Sequence, residues 1–202
     1  MQKELASCGD KAVASLQANA AHDATVGIEG SYLVECHDAQ GNLKWSESIP
    51  NLVVAVGKQL MLNTLLTSTS YSVVGPYLGL TNQTLTPAAA DTMTTIVTTL
   101  SAEFTNYTVG GSAVRGTAVF ASATSTGTTP TNVTTSTATP ITYTITGAGG
   151  TVYGCFLVTG TGASSTQGST AGTLYSEGNF TTPKATTVGD TVTVTYSTTA
   201  TS

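Results

Sequence analysis

The feature that most restricts this chain is the near absence of charge over its last two-thirds. Residues 61–202 hold six Asp, Glu, Lys and Arg residues: Asp91, Glu103, Arg115, Glu177, Lys184 and Asp190. Thr, Ser, Gly and Ala take the places that charged residues fill in an ordinary globular domain, where about a quarter are charged; here the figure is 8%. Disorder requires low hydrophobicity and high net charge. This chain is 40% hydrophobic with a mean hydropathy of +0.14, so it is expected to fold. Threonine is stiff at χ1 and packs well on a pleated sheet and poorly on a helix. A Thr-rich, charge-poor segment therefore reads as short strands. It also reads as a surface that can meet other chains with little charge to desolvate.

The charge is unevenly placed. Lys3, Glu4, Asp10, Lys11, Asp23, Glu29, Glu35, Asp38, Lys44, Glu47 and Lys58 lie before residue 60, where Thr25 is the only threonine. Two structural roles are expected, not two folds. Residues 1–24 read as an arm: Leu5, Val13 and Leu16 make a thin apolar stripe broken by Gly9, too little to fold alone and suited to ordering on a neighbour. Residues 25–202 read as one mainly β domain, an antiparallel sandwich or jelly roll. Its first hairpin pairs Ser31–Cys36 with Leu43–Glu47 around Asp38-Ala39-Gln40-Gly41-Asn42, a turn rich in the residues that hairpins favour. Apolar residues three and four apart predict one helix over about 52–66, capped by Asn51 and packed on the sheets. Strands are predicted at Tyr77–Thr81, Val114–Ala121, Ile141–Thr146, Thr151–Thr159, Gly172–Ser176 and Thr191–Tyr196. Asp91–Leu100 reads as a short helix or irregular, and Ala123–Ala138 and Gly160–Ala171 as long exposed loops.

The totals exclude several functions. A net charge of −5, with Lys and Arg numbering six and none adjacent, is wrong for nucleic acid, where affinity comes from neutralising phosphates, and for a polybasic membrane patch. The most apolar stretch, Leu52–Leu66, is interrupted by Lys58, Gln59 and Asn63 and is shorter than the ~20 residues of a membrane span. No apolar core follows Met1-Gln2-Lys3-Glu4-Leu5-Ala6, so synthesis in a cytoplasm without a signal peptide is expected. The Asn-X-Thr triplets at Asn82, Asn106, Asn132 and Asn179 then carry no glycosylation meaning.

The candidate chemistry is thin. Cys8, Cys36 and Cys155 fit no ligand spacing and read as idle thiols, with a Cys36–Cys155 disulfide as the alternative. His37 lies between Cys36 and Asp38, but neighbours on a strand point to opposite faces, so the three are not expected to converge on a metal. With His22 the only other histidine and no Gly-x-Ser-x-Gly elbow, a Ser-His-Asp triad is not expected. A glycosidase carboxylate pair would have to come from Asp91, Glu103, Glu177 and Asp190, and Trp45 is the only Trp available as a sugar platform. Gly147-Ala148-Gly149-Gly150 reads as a turn between strands. Arg115, the only arginine, is expected to fork onto a carboxylate such as Glu103, or onto backbone carbonyls, with an intersubunit contact as the alternative. No catalytic, cofactor-binding or metal residue is assigned, and the chain is read as a non-enzyme.

The run Trp45-Ser46-Glu47, Asn51-Leu52-Val53-Val54, Gly57-Lys58 and Tyr77-Leu78-Gly79-Leu80-Thr81 resembles a group of small tailed-bacteriophage virion proteins. The C-terminal set Gly172-Thr173-Leu174-Tyr175, Phe180, Pro183 and Gly189–Tyr196 is similar to the same group. The likeness spans roughly residues 30–197. It departs over Asp91–Arg115, where Ala102 stands in place of a Trp before Glu103. The resemblance implies a virion protein, and by analogy a capsid cement or decoration protein that forms a homo-oligomer, such as a trimer, and contacts the major capsid protein or another virion protein. A tail, collar or head-fibre component and a lectin-like receptor-binding module are the alternatives. From the sparse ligand inventory, elemental analysis of the purified protein is expected to find no zinc or calcium; a stoichiometric amount of either would overturn this.

Overall fold

The computed structural model describes residues 27–67, 74–125 and 132–201. The predicted arm, residues 1–24, lies outside them. In chain order the strands are β1 (Gly27–His37), β2 (Leu43–Pro50), β3 (Leu52–Val53), β4 (Tyr77–Thr81), β5 (Glu103–Phe104), β6 (Tyr107–Thr108), β7 (Gly116–Thr117), β8 (Thr124–Ser125), β9 (Asn132–Ser136), β10 (Ile141–Ile145), β11 (Gly150–Thr159), β12 (Thr173–Thr186) and β13 (Thr191–Thr201), with one α-helix, α1 (Ala55–Leu66). Strand (51%) far outweighs helix (12%), so the fold is mainly β as the threonine content predicts.

Two antiparallel sheets form the sandwich. The first runs β2-β1-β13-β10-β6. Strand β1 pairs with β13 along its whole length, from Gly27 opposite Thr201 to His37 opposite Thr191. The other edge of β13 is shared: β10 takes residues 191–194 and β9 takes 197–201. The second sheet runs β3-β12-β11-β4-β5, with β7 also on β4. The predicted alternation holds on β13: Val192, Val194 and Tyr196 are buried, while Thr191, Thr193 and Thr195 are half-buried on the other face. Together with Tyr32, Val34, Ile141 and Tyr143 they meet Leu78, Leu80, Val152 and Leu157 of the second sheet in the main core.

The second sheet is buried on its outer face as well. Phe156, Val158 and Leu174 pack there beneath Leu85, Met93, Ile96 and Ala102. The segment 85–102, which contains the Asp91–Leu100 stretch predicted as short helix or irregular, is a cover for that face, closed by a wide helical turn at Thr95–Thr99. Gly79 makes the arrangement possible: it lies opposite Phe156 in the ladder, and a Cβ there would run into the Phe156 ring.

Several boundaries differ from the sequence reading, each for a physical reason. The helix begins at Ala55, not at residue 52, because Leu52 and Val53 pair with Glu177 and Ser176 as β3. Asn51 is not its cap; its side-chain amide donates to Tyr196 Oη at 2.8 Å. The helix takes Val54 as a cap with no side-chain hydrogen bond, and the Ala55 N–H is satisfied by Ala89 O at 2.8 Å. Of Val114–Ala121 only Gly116–Thr117 is a ladder, because the segment crosses from one sheet to the other: Thr117 pairs with Tyr77 in the second and Phe120 bridges to Thr137 beside the first. Ala123–Ala138 is not simply a loop. It carries β8 and β9, since the edge of β13 beyond Ser197 would otherwise leave its backbone groups unpaired. Strand β12 runs on to Thr186, and its ladder register slips between Asn179 and Lys184. Exposed Pro183 falls within that slip, where no ladder N–H is required. Cys36 and Cys155 are free buried thiols, so the disulfide alternative does not hold.

Gly160–Ala171 is a loop, but it is fastened inward. Arg115 is fully buried and its guanidinium forks onto Glu103, Nε to Oε1 at 2.8 Å and Nη2 to Oε2 at 2.7 Å. The remaining donors reach Ser164 O at 3.1 Å and Ser169 O at 2.7 Å, and the Gly168 N–H donates to Glu103 Oε2 at 2.8 Å. Removing one partner of a buried, hydrogen-bonded pair strands the other charge, which costs about 3–5 kcal/mol. Arg115→Met is therefore expected to lower the unfolding free energy by about that amount in urea titrations. Adding Glu103→Gln to it should restore part of the loss, because the stranded charge is gone; additive losses would show that the two residues act separately.

Candidate assembly surface

The residues weighed for chemistry do not converge. Cys36 faces the core and approaches Asp190 Oδ2, with burial first and Asp190 second pushing its thiol up to about 11. Asp38 closes the hairpin turn, accepting the N–H groups of Gln40 at 2.9 Å and Asn42 at 2.8 Å, and these bonds hold its carboxyl below the usual range. His37, half-buried at the end of β1, meets Cys36 through its backbone carbonyl, which accepts the thiol at 3.9 Å. Of the four carboxylates considered, Glu103 is held by Arg115 and Asp190 by Lys44 at 2.5 Å. Asp91 and Glu177 come together, but under the cover of the second sheet, not in a cleft. Trp45 packs edge-on against Phe180 at 5.5 Å and donates to Ala185 O, so it is no free sugar platform. Gly147 and Gly149 form the β10–β11 turn in left-handed conformations. Among the described residues no three His, Cys, Asp or Glu side chains are grouped to hold a metal, and no helix is long and apolar enough to cross a membrane.

The informative geometry is at the surface. Glu103, Arg115, Glu177 and Asp190 are all buried. Of the six Asp, Glu, Lys and Arg residues after position 60 this leaves half-buried Asp91, and Lys184, which is tied to Glu47 at 2.7 Å. Composition alone makes the region charge-poor; folding then withdraws most of the remaining charge into the interior.

Helix α1 is the second feature. Gly57 and Leu60 are buried against the sandwich, and Gly57 lies so close to β12 that a Cβ would sit 2.5 Å from Tyr175 O. The opposite side of the helix carries Leu62, Leu65 and Leu66, which are 58%, 76% and 77% exposed. A solvated surface helix puts polar residues on that side; one that is apolar on both sides is normally covered on both. Beside Leu65 an apolar cleft of about 290 Å³ opens between α1 and Tyr175. It adjoins a second apolar pocket of about 160 Å³ between the sheets, lined by Pro76, Phe120, Leu157 and Tyr196, and the two share Thr159 and Tyr175. Helix and pockets thus form one continuous apolar mouth at the end of the sandwich where β13 extends past β10.

A polar depression of about 710 Å³ lies elsewhere, beside Tyr153, Asn82, Gln83 and Asn106. Each of those amides donates to a backbone carbonyl of the chain, Glu103, Leu100 and Gly149 respectively, so their donors are engaged internally.

Sequence reasoning identified the charge-poor region but missed the helix face. The spacing of threes and fours counted Leu66 with Val56 and Leu60 on the packed stripe, but the exposed Leu66 falls outside it, as do Leu62 and Leu65. Replacing Leu65 and Leu66 by Lys is expected to change unfolding free energy by no more than about 0.5 kcal/mol, as for other surface sites, while reducing self-association in sedimentation velocity. An unchanged sedimentation profile would remove α1 from the contact surface. No protein-family model, curated protein or solved structure matches the chain.

Proposed function

We propose that this protein is a structural component of a tailed-phage virion, a capsid cement or decoration protein that assembles with its own copies and docks on the shell. The observation that carries the assembly half of this reading is the pairing of a nearly charge-free exterior with an uncovered leucine face on α1. Such a surface gains by burial and by hydrogen bonds from Thr and Ser hydroxyls, and gives up little charge solvation on contact. The virion half rests on the motif resemblance at Trp45–Lys58, Tyr77–Thr81 and Gly172–Tyr196. No catalytic constellation among the described residues competes with it. Attachment by burial over many copies needs no strong individual contact, since multivalency multiplies modest ones.

Particle fractionation with quantitation of this chain tests the reading. A copy number on the scale of the capsomers fits shell cement; that of a single ring places the protein at neck or tail, and absence from particles refutes the virion role. The mode of attachment gives a further test. A charge-poor contact is insensitive to screening, so attachment should persist from low salt to about molar salt, where the Debye length is ~3 Å. Release of most copies at moderate salt would move the contact to the charged N-terminal section, through residues such as Lys44 and Lys58.

A further inference from the structure

The interior holds one acid for which the fold provides no base. Glu177 lies on β12 between Leu52 of β3 and Phe156 of β11, and is fully buried. Neither carboxyl oxygen is satisfied by an N–H or O–H donor, since the Ala88 N–H nearby donates to Asp91 Oδ2 at 2.8 Å. An ionised carboxylate left this way in an apolar site costs far more than a neutral one. The polar side chain that faces it is another carboxyl, Asp91, half-buried in the cover segment. Two carboxylates are both acceptors; only a proton between them makes a bond.

Among the described residues no cation is placed to substitute for that proton. Arg115, which lies over the Phe156 ring at 5.2 Å, spends its fork on Glu103. Lys58, the charged residue of α1, is exposed. On β12 itself Lys184 is engaged with Glu47. Burial first, and the Asp91 carboxyl second, push Glu177 up to about 8, with the nearby Ala88 N–H opposing the shift.

Asp91 sits at a structural joint. Its Oδ2 accepts the Ala88 N–H at 2.8 Å and its own N–H donates to Ala88 O at 3.0 Å, closing the turn that opens the cover. The Ala89 carbonyl in that turn accepts the Ala55 N–H at the start of α1. Other fastenings of this stretch are independent of pH: the Asn179 side chain exchanges two hydrogen bonds with the Leu85 backbone, at 3.1 and 2.9 Å, and at the far end the Gln83 amide donates to Leu100 O and the Asn82 N–H to Ala102 O.

We propose that Glu177 and Asp91 share one proton, and that this carboxyl–carboxyl bond is a pH-operated clasp that holds segment 85–102 and the first turn of α1 on the outer face of the second sheet. When the proton leaves, two negative charges face each other in a buried joint, and the segment loosens while Asn179 keeps hold of Leu85. Because the clasp anchors the helix that carries Leu62, Leu65 and Leu66, proton loss also loosens the mounting of the apolar face. The clasp itself does not depend on the virion assignment.

The sign follows from the raised acid. Between the ordinary glutamate range and about pH 8 the closed form holds a proton that the open form has lost. The closed form is therefore most stable at the acid end of that window, weakens as pH rises through it, and levels off above. Native-state hydrogen exchange of the Ala55, Ile96 and Ala102 amides, each hydrogen-bonded in this joint or cover, reads the opening directly. Protection factors, corrected for intrinsic exchange, are expected to fall about tenfold per pH unit from about pH 5.5 to 7.5 in the wild-type protein. Glu177→Gln supplies an amide donor to Asp91 at every pH and should flatten the profile. A Glu177→Gln profile parallel to wild type, or a flat wild-type profile, would overturn the clasp. Infrared titration of the wild-type protein gives a check that needs no variant to fold: the carbonyl band of a protonated carboxylic acid should be present at pH 6 and vanish as pH passes about 8. Its absence at pH 6 would overturn the shared proton.

Discussion

Arg115 and Glu103 fasten the 160–171 loop, which backbone pairing otherwise holds only at the Val114–Thr166 bridge and its neighbouring Arg115 N–H to Ser165 O bond, to the β4 edge of the second sheet. Glu103 opens the short strand on the β4 edge, Arg115 precedes β7 on the same β4, and the carbonyls that complete the guanidinium come from the 160–171 loop. Without the pair that loop has little reason to lie down, being composed of Thr, Ser and Gly with Ala163 as its one buried side chain. With it, the loop becomes a wall of the second core. A buried ion pair is weak evidence for stability but a good fixer of geometry, and here it selects one arrangement for a segment that composition leaves undecided. The second core in turn is what the 85–102 cover rests on, and the cover receives the first turn of α1 through Ala89.

How much of this was legible in the sequence depended on whether a segment's partner was local. The hairpin around Asp38–Asn42, the alternation on Thr191–Tyr196 and the Arg115–Glu103 fork could be read because pattern and chemistry each pointed to one solution. The failures share one cause. Leu52 and Val53 look helical until β12 offers them a ladder; Ala123–Ala138 looks like a loop until the free edge of β13 demands a partner; Val114–Ala121 looks like a strand until it must cross between sheets. In each case a contact distant in sequence overrode local propensity. The cover segment was hardest. Met93 and Ile96 carry no strand alternation, and their burial depends on the second sheet having an apolar outer face. The apolar side of α1 was legible in part, since Leu62 and Leu65 fall outside the stripe of Val56 and Leu60, with which the spacing counted Leu66.

The candidate surface follows from the same distribution of charge. Past residue 60 the sandwich keeps most of its few ions inside, so exposed charge belongs to its N-terminal third, at Glu29, Lys44 and Lys58. Its short edge strands, such as β5, β6 and β8, limit edge-to-edge pairing and leave the helix face and the mouth beside it as the place where apolar area is concentrated. Contact there is governed by shape and burial, which suits a protein that must bind many equivalent positions on one particle. It does not suit a protein that finds its partner by long-range steering, because steering needs a field that this exterior lacks.

The shortage of cations also explains the odd acid in the interior. Six Lys and Arg residues face eleven Asp and Glu residues. Arg115 is committed to Glu103, Lys44 to Asp190 and Lys184 to Glu47. Each of those acids also accepts a backbone N–H, from Gly168, Thr187 and Thr181 respectively. Among the described residues Glu177 has no cation beside it, and the Ala88 N–H near it is spent on Asp91 Oδ2. A buried acid without cation or donor has one remaining way to satisfy its oxygens, which is to keep its proton and bond to another carboxyl. Glutamine at this position would meet the same geometric need with a permanent amide donor. The difference between the two side chains is that glutamate makes the joint conditional on pH, so the residue that looks least well accommodated is also the one whose replacement by its neutral isostere tests whether that condition operates.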